Sequence, residues 1–322
     1  MKVALLINRD NFEKYSPKAP PEWEIIHMGN GAPDAEKVLS TGADVLVVDA
    51  VMKIGREIIG KMPSLKLIHS QGVAFNAIDL AAARDAGICV CNNPGINASA
   101  VAEQAVLLIL SLLRNYSRYE AMVFEGRQME AKTECFREGL PELGDLTVGI
   151  VGLGAIGAAL AERLKAFGCR LLYYSRREKP GCGLEYVALE KLYASCDIVS
   201  LHVPVSPETE NMIDAQSLPL FKKGALLINT ARGELVDHSA VLGALTSGQL
   251  GGFGTDTLSP EPVLADNPFL AALPAALRSR VALSPHIGGI TAGCFARAYA
   301  HIFSNIAAVE KGERPDSVVS GL

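Results

Sequence analysis

The chain has 322 residues, 49% of them hydrophobic and 20% charged, with a formal net charge of -5. That length suggests two domains with ample core in each, and the charge balance leaves no electrostatic case for a nucleic-acid partner. No stretch reaches the roughly 18 apolar residues of a membrane helix; the richest, Ala105 to Leu113, is broken by Ser111 and followed by Arg114. The apolar run in the opening MKVALLINRD is too short for a signal peptide and reads as a buried strand. Cys89, Cys91, Cys135, Cys169, Cys182, Cys196 and Cys294 are scattered with no CxxC pair, so no metal site is expected. They read as thiols in a reducing cytoplasm.

In chain order, short apolar runs predict strands at Val3–Ile7, Val45–Val48, Leu65–His69 and Ile88–Val90, and helices near Asp34–Ser40, Arg56–Lys61 and Ala77–Ala86. Strands separated by helices imply βαβ units on a parallel sheet. A helix from Ser99 to about Asn115 follows, apolar on most faces and therefore buried. A second helix is expected from about Ser117 to Arg127, and the polar stretch Ala131 to Asp145 reads as irregular surface chain. From Leu146 a second array begins, with strands at Thr147–Val151, Arg170–Tyr174, Ile198–His202, Ala225–Asn229, Gly252–Thr255 and Val281–Ser284 and helices including Ala155–Phe167 and His238–Ser247. Six strands suit a complete dinucleotide-binding sheet. The last helix, about Thr291 to Lys311, is expected to return to the first array. The expected architecture is α/β: two doubly wound parallel-sheet domains, a substrate domain of residues 1–97 and 291–322 and a dinucleotide-binding domain of residues 98–290.

Between the strand Thr147–Val151 and the helix beginning at Ala155 lie Gly152, Gly154 and Gly157, a G-x-G-x-x-G pattern in its proper strand–turn–helix setting. The first glycine allows the tight turn, the second lets backbone approach a pyrophosphate, and the third lets the helix pack close to the strand. Ala155 and Ile156 open the helix whose free N–H groups favour an anion. At the tip of the next strand an NAD enzyme usually carries Asp or Glu for the ribose hydroxyls. This chain has Ser175-Arg176-Arg177 there, with Lys179 close by.

Three polar residues stand beyond predicted strands of the second array: Arg232 after Ala225–Asn229, Glu261 after Gly252–Thr255, and His286 after Val281–Ser284. Ligands of open α/β sheets bind outside the carboxyl ends of strands. Hydride transfer to a ketone leaves an alkoxide that needs a proton, and a histidine is the natural donor. A carboxylate against its other ring nitrogen fixes the tautomer and favours the protonated ring. An arginine can clamp a carboxylate through two parallel hydrogen bonds. Singly, each has an ordinary structural reading: Arg232 a helix cap or a partner of Glu234, Glu261 a loop carboxylate, His286 a structural histidine.

At this point the chain resembles the D-isomer-specific 2-hydroxyacid dehydrogenases. The segments that carry the resemblance are Gly149-Ile-Val-Gly-Leu-Gly-Ala-Ile-Gly157, Cys196-Asp-Ile-Val-Ser-Leu-His-Val-Pro204, Ile228-Asn-Thr-Ala-Arg-Gly-Glu-Leu-Val-Asp237 and Ser284-Pro-His-Ile-Gly-Gly289, with Gly72-Val-Ala-Phe-Asn-Ala-Ile-Asp79 and Asn97-Ala-Ser-Ala-Val-Ala-Glu103 in the first half. The resemblance implies Arg232 as the substrate-binding catalytic arginine, His286 as the acid/base and Glu261 as its carboxylate partner. It implies cofactor contacts at Asp256, Val203, Thr230, Ala231 and Gly288, and a substrate-carboxylate loop at Val73 and Ala74. It also implies a Rossmann nucleotide domain, a flavodoxin-like substrate domain, a cleft between them, and a homodimer built on the nucleotide domain.

Departures from the pattern narrow the expectation. Ala74 stands where the family usually has glycine. Relatives that use 3-phosphoglycerate place an arginine after the second first-domain strand, where this chain reads Val48-Asp49-Ala50-Val51-Met52, and Asp49 would repel a phosphate. The chain also ends at Leu322, with no room for a regulatory domain. Ser175 removes the repulsion an aspartate would exert on a 2′-phosphate, and Arg176 and Arg177 can bond it; NADPH-using glyoxylate/hydroxypyruvate reductases show a similar segment. The sequence therefore points to a small 2-keto acid reductase preferring NADP(H), with NAD(H) usable. An NAD-dependent phosphoglycerate dehydrogenase-like enzyme and a non-catalytic dinucleotide-sensing protein are the alternatives.

Overall fold

The computed structural model describes residues 1–31, 34–50 and 52–322; Val51, within the stretch compared with phosphoglycerate enzymes, lies outside them. The chain divides into two compact units, Met1–Ile96 with Ile290–Leu322, and Asn97–Gly289.

The first unit alternates β1 (Lys2–Leu6), α1 (Arg9–Tyr15), β2 (Glu24–His27), α2 (Ala35–Ser40), β3 (Val45–Val48), α3 (Arg56–Gly60), β4 (Leu67–Ser70), α4 (Leu80–Asp85) and β5 (Cys89–Cys91). The strands form an all-parallel sheet in the order β2-β1-β3-β4-β5. The central strands are buried along their length because both faces are covered, whereas the edge strand β2 is not. Ala4, Leu6, Leu46, Val48, Ile68 and Val90 face a core shared with Val38, Ile58, Ile59 and Ala82. Val3, Leu5, Val45, Val47 and Leu67 face the other core, filled by Tyr299, Ile302 and Ile306 of the C-terminal helix Ala292–Glu310. That helix starts cleanly because the Thr291 hydroxyl accepts from the Cys294 amide.

The second unit opens with α5 (Ala98–Leu113), α6 (Tyr116–Phe124) and α7 (Gln128–Glu138). Helix α7 replaces much of the irregular chain expected from Ala131 to Asp145. Its sequence QMEAKTECFRE buries only Ala131, so no apolar stripe announces it. Helix-forming side chains and the Arg127–Glu130 pair support it instead. There follow β6 (Thr147–Val151), α8 (Ala155–Ala166), β7 (Arg170–Tyr174), β8 (Glu185–Tyr186), α9 (Leu189–Ser195), β9 (Ile198–Leu201), β10 (Ala225–Asn229), α10 (His238–Ser247), β11 (Leu250–Thr255), α11 (Pro268–Ala272) and β12 (Val281–Leu283).

The sheet of this unit has seven parallel strands in the order β12-β11-β10-β9-β6-β7-β8, one more than expected because β8 is two residues long and exposed. The order reverses between β6 and β9, the switch point at which open sheets bind ligands. Val148, Ile150, Leu171, Tyr173 and Ile198 pack with α5 and α8 on one face; Val151, Leu172, Val199, Leu227 and Phe253 pack with α9 and α10 on the other. Among the described residues no single helix is long and apolar enough to cross a membrane, and no group of three or more His, Cys, Asp or Glu could hold a metal ion.

Candidate active site

The glycine turn sits at the switch point. Gly152 has φ +98°, and a Cβ there would lie 2.6 Å from the His202 carbonyl oxygen. A Cβ on Gly157 would lie 2.2 Å from the Gly152 carbonyl, so α8 rests directly on the turn. A Cβ on Gly154 would meet nothing within 4 Å, and Gly154 caps α8 with no side chain. The first amides of α8, at Ala155 and Ile156, are thus presented bare, with no acid in the first turn. Anions favour such a terminus. The Thr230 hydroxyl is buried with no partner among the described residues. These features fit a bound dinucleotide. Val203 follows β9 and would contact a Cβ built on Gly152, so it lines the same turn.

The loop after β7 is arranged differently from expectation in two respects. The Ser175 hydroxyl donates to the Arg177 carbonyl at 2.5 Å, and the Lys179 ammonium donates to the Leu153 carbonyl at 2.5 Å. Ser175 braces the loop from within, and Lys179 ties it to the glycine turn. Arg176 and Arg177 are exposed and in no ion pair among the described residues. The Glu208 carboxyl is held below its ordinary value first by the Ser206 hydroxyl, with Arg176 a lesser contributor.

Arg232, Glu261 and His286 stand beyond β10, β11 and β12, three neighbouring strands. Asn229, buried at the end of β10, clamps the turn from inside: its Nδ2 donates to the Arg232 carbonyl at 2.7 Å and its Oδ1 accepts from the Ala231 amide at 3.0 Å. The Arg232 side chain is exposed and bonds the Ala231 carbonyl through Nη1, not Glu234. Gly233 brings this turn against the chain leading to Glu261, since a Cβ there would lie 2.5 Å from the Ser259 amide nitrogen.

The imidazole of His286 meets both carboxylate oxygens of Glu261, Nδ1 lying 2.8 Å from Oε1 and 2.9 Å from Oε2. A carboxylate accepts, so Nδ1 carries a proton and Nε2 is the outward nitrogen. His286 has φ +56°, a left-handed conformation that costs a non-glycine residue free energy and is held by its surroundings. Asp256 supplies the hold. Its backbone carbonyl accepts from the His286 amide at 2.8 Å; Oδ1 accepts from Ser284 Oγ and the Ile287 amide, and Oδ2 from the Gly288 amide at 2.7 Å. Asp256 is 3% exposed. Gln104 of α5 extends this chain, donating to Ser284 Oγ at 2.9 Å. Asp256, expected as a cofactor contact, also brackets the His286 loop.

Val73 and Ala74 lie in the first unit, in the loop after β4. Their carbonyls are tied, Val73 to Asn92 Nδ2 at 2.7 Å and Ala74 to Ser70 Oγ at 2.6 Å. Sequence reasoning missed Asn229, Gln104 and Asn92. For Asn229 a signal was present, a polar residue closing the apolar run Ala225–Ile228.

The description "D-isomer specific 2-hydroxyacid dehydrogenase, NAD binding domain" matches residues 106–288. The chain belongs to that family. Its second unit carries the family's NAD-binding domain, and the protein is an enzyme of the D-2-hydroxyacid dehydrogenase class. It is 36% identical over 312 residues to a glyoxylate reductase of Thermococcus litoralis, an alignment covering 94% of this chain and 88% of that protein. It is 33% identical over 299 residues to a D-3-phosphoglycerate dehydrogenase of Mycobacterium tuberculosis, covering 90% of this chain but 54% of that protein. The solved structure of D-2-hydroxyisocaproate dehydrogenase aligns over the whole of both chains with a TM-score of 0.87 at 29% identity.

Proposed function

We propose that this dehydrogenase reduces a small unphosphorylated 2-keto acid, of the glyoxylate or hydroxypyruvate kind, to the D-2-hydroxy acid, with NADPH preferred and NADH usable. The observation that carries the reading is the Glu261–His286 pair, which leaves one defined ring nitrogen facing outward. His286 Nε2 delivers the proton to the oxygen that becomes the hydroxyl, and Glu261 holds the ring through Nδ1. Arg232 keeps guanidinium N–H groups for the substrate carboxylate and carbonyl. Val73 and Ala74, in the first unit, offer backbone amides to a substrate carboxylate. Bound nicotinamide supplies the hydride. Gly152, Gly154, Ala155, Ile156, Gly157, Val203, Thr230, Ala231, Asp256 and Gly288 surround the dinucleotide. With the Ser175 hydroxyl and Lys179 engaged in the loop, Arg176 and Arg177 are the groups that recognise a 2′-phosphate.

Asp49 beyond β3 supports an unphosphorylated substrate, whereas the mycobacterial relative favours phosphoglycerate. Leu107, Val123, Phe124, Met129 and Phe136, exposed along α5, α6 and α7, support a homodimer formed through this unit, and the mass of the species in solution tests it. Initial rates with NADPH and NADH across glyoxylate, hydroxypyruvate, pyruvate, a branched keto acid and 3-phosphohydroxypyruvate test the function. Turnover of the first two, faster with NADPH, is expected. Turnover of the phosphorylated acid alone, or of none, refutes the reading.

A further inference from the structure

All five carbonyls from Ser70 through Ala74 are bound from within the first unit. Ser70 O accepts from His69 Nδ1 at 2.9 Å and from Asn93 Nδ2 at 3.3 Å; Gln71 O accepts from the same Asn93 nitrogen at 2.8 Å; Gly72 O accepts from the Asn93 amide at 2.9 Å. Asn92 and Ser70 take the last two. Three of the five carbonyls are therefore held by Asn93, which is fully buried. With its carbonyls drawn inward, the loop keeps the Val73 and Ala74 N–H groups without an acceptor among the described residues. Successive unpaired amides form a concave anion site.

The Asn93 side chain holds the Ser70 and Gln71 carbonyls in only one orientation of its amide. With Nδ2 against two carbonyls, Oδ1 must face His301, whose Nδ1 lies 2.7 Å away. Oδ1 only accepts, so His301 Nδ1 carries the proton. A flipped Asn93 would set its oxygen against the Ser70 and Gln71 carbonyls and its NH2 against the His301 N–H. With its proton on Nδ1, His301 therefore favours the same Asn93 orientation that the Ser70 and Gln71 carbonyls require. His69 packs edge-on against His301, with centroids 5.6 Å apart, and is itself fixed by Asn305 Nδ2 at its Nε2.

We propose that Asn93, oriented by His301, is the positioning residue of the substrate-carboxylate loop, so that a side chain of the C-terminal helix sets the affinity for the keto acid. This rests on the reading of Val73 and Ala74 given above.

The test uses the full-length protein and three variants, His301→Leu, His301→Gln and His301→Asn. Asparagine Nδ2 can stand where histidine Nδ1 stands; glutamine Nε2 takes the place of the other nitrogen. His301→Leu and His301→Gln should raise the KM for glyoxylate about five- to tenfold, the equivalent of one neutral hydrogen bond. The kcat should stay within about twofold and the Kd of NADPH unchanged, and His301→Asn should restore KM. Amide hydrogen exchange of the 70–76 segment should quicken in the first two variants and return in the third. Unchanged exchange in a folded Leu or Gln variant overturns the proposal, as does a KM that Asn fails to restore. If the wild type turns over no keto acid the proposed function has failed, and the exchange measurement still decides whether His301 holds the loop through Asn93.

Discussion

Asp256→Asn tests how the His286 loop is held. The carboxylate accepts from Ser284 Oγ and the Ile287 amide on one oxygen and from the Gly288 amide on the other. Asparagine keeps one oxygen acceptor and presents an NH2 to the second set. At least one charge-assisted bond is lost, about 1.5–3 kcal/mol, and a buried N–H is left facing another donor. Against this, the left-handed backbone of His286 costs on the order of 1–3 kcal/mol. The two are comparable, so losing the bond releases His286 from the conformation in which Glu261 meets its ring. A loss of about 2 kcal/mol corresponds to a roughly 30-fold fall in the population of the held loop, and kcat for the preferred keto acid should fall by a similar factor. Gln104→Met, one bond further out, should cost about 1 kcal/mol and roughly fivefold. Steady-state kinetics with the Kd of NADPH measured separately reads both. An Asp256→Asn enzyme with unchanged kcat would refute the claim that the carboxylate holds His286.

Three further perturbations follow from particular contacts. Replacing Arg176 and Arg177 by serine should raise the KM for NADPH by roughly tenfold or more and leave NADH untouched, since only the 2′-phosphate needs them; equal loss for both nucleotides refutes the assignment. Arg280 donates to the carbonyls of Leu245, Leu250 and Gly251, so Arg280→Met should lower stability by about 2–3 kcal/mol in urea denaturation, and a change below about 0.5 kcal/mol would show these bonds to be replaceable by water. His69 is fully buried and burial pushes its pKa down to about 4. The unfolded chain takes up that proton near pH 6.5 and the folded chain does not, so stability is lost as pH falls from about 6.5 to 4, by up to about 3 kcal/mol. His69→Gln should flatten that limb of the stability–pH curve; an unchanged slope assigns the loss to other groups.

The parts of the fold visible in the sequence are those whose burial is continuous. Strand β3, β1 from Val3 and β6 from Val148 are covered on both faces and read as unbroken apolar runs. Helices α1 and α7 each bury a single side chain, Phe12 and Ala131, and leave no periodicity to read. The site shows the same division. Gly152, Gly154 and Gly157 are legible because the spacing itself is the mechanism, and Glu261 and His286 because their types and strand-end positions match one chemistry. Asn93, Asn229 and Gln104 are not, because they serve backbone carbonyls or a hydroxyl. Every residue has a backbone carbonyl, so sequence does not mark the ones that need a donor. Ser175 adds a case from the other side: its type suggests a phosphate donor, and the structure shows its hydroxyl donating to the Arg177 carbonyl.

The covering of the first sheet by Tyr299, Ile302 and Ile306 has a consequence for synthesis. Val3, Leu5, Val45, Val47 and Leu67 leave the ribosome nearly the whole chain ahead of the helix that shields them. Until then one face of a finished parallel sheet is greasy and open, while the whole of Asn97–Gly289 can fold in the interval. The newborn protein should therefore pass through a state with a competent nucleotide unit and a sticky amino-terminal one. Chains arrested at residue 289 should bind a hydrophobic dye and a holdase chaperone that the released protein ignores; arrested chains that bind neither would mean the exposed face finds another cover.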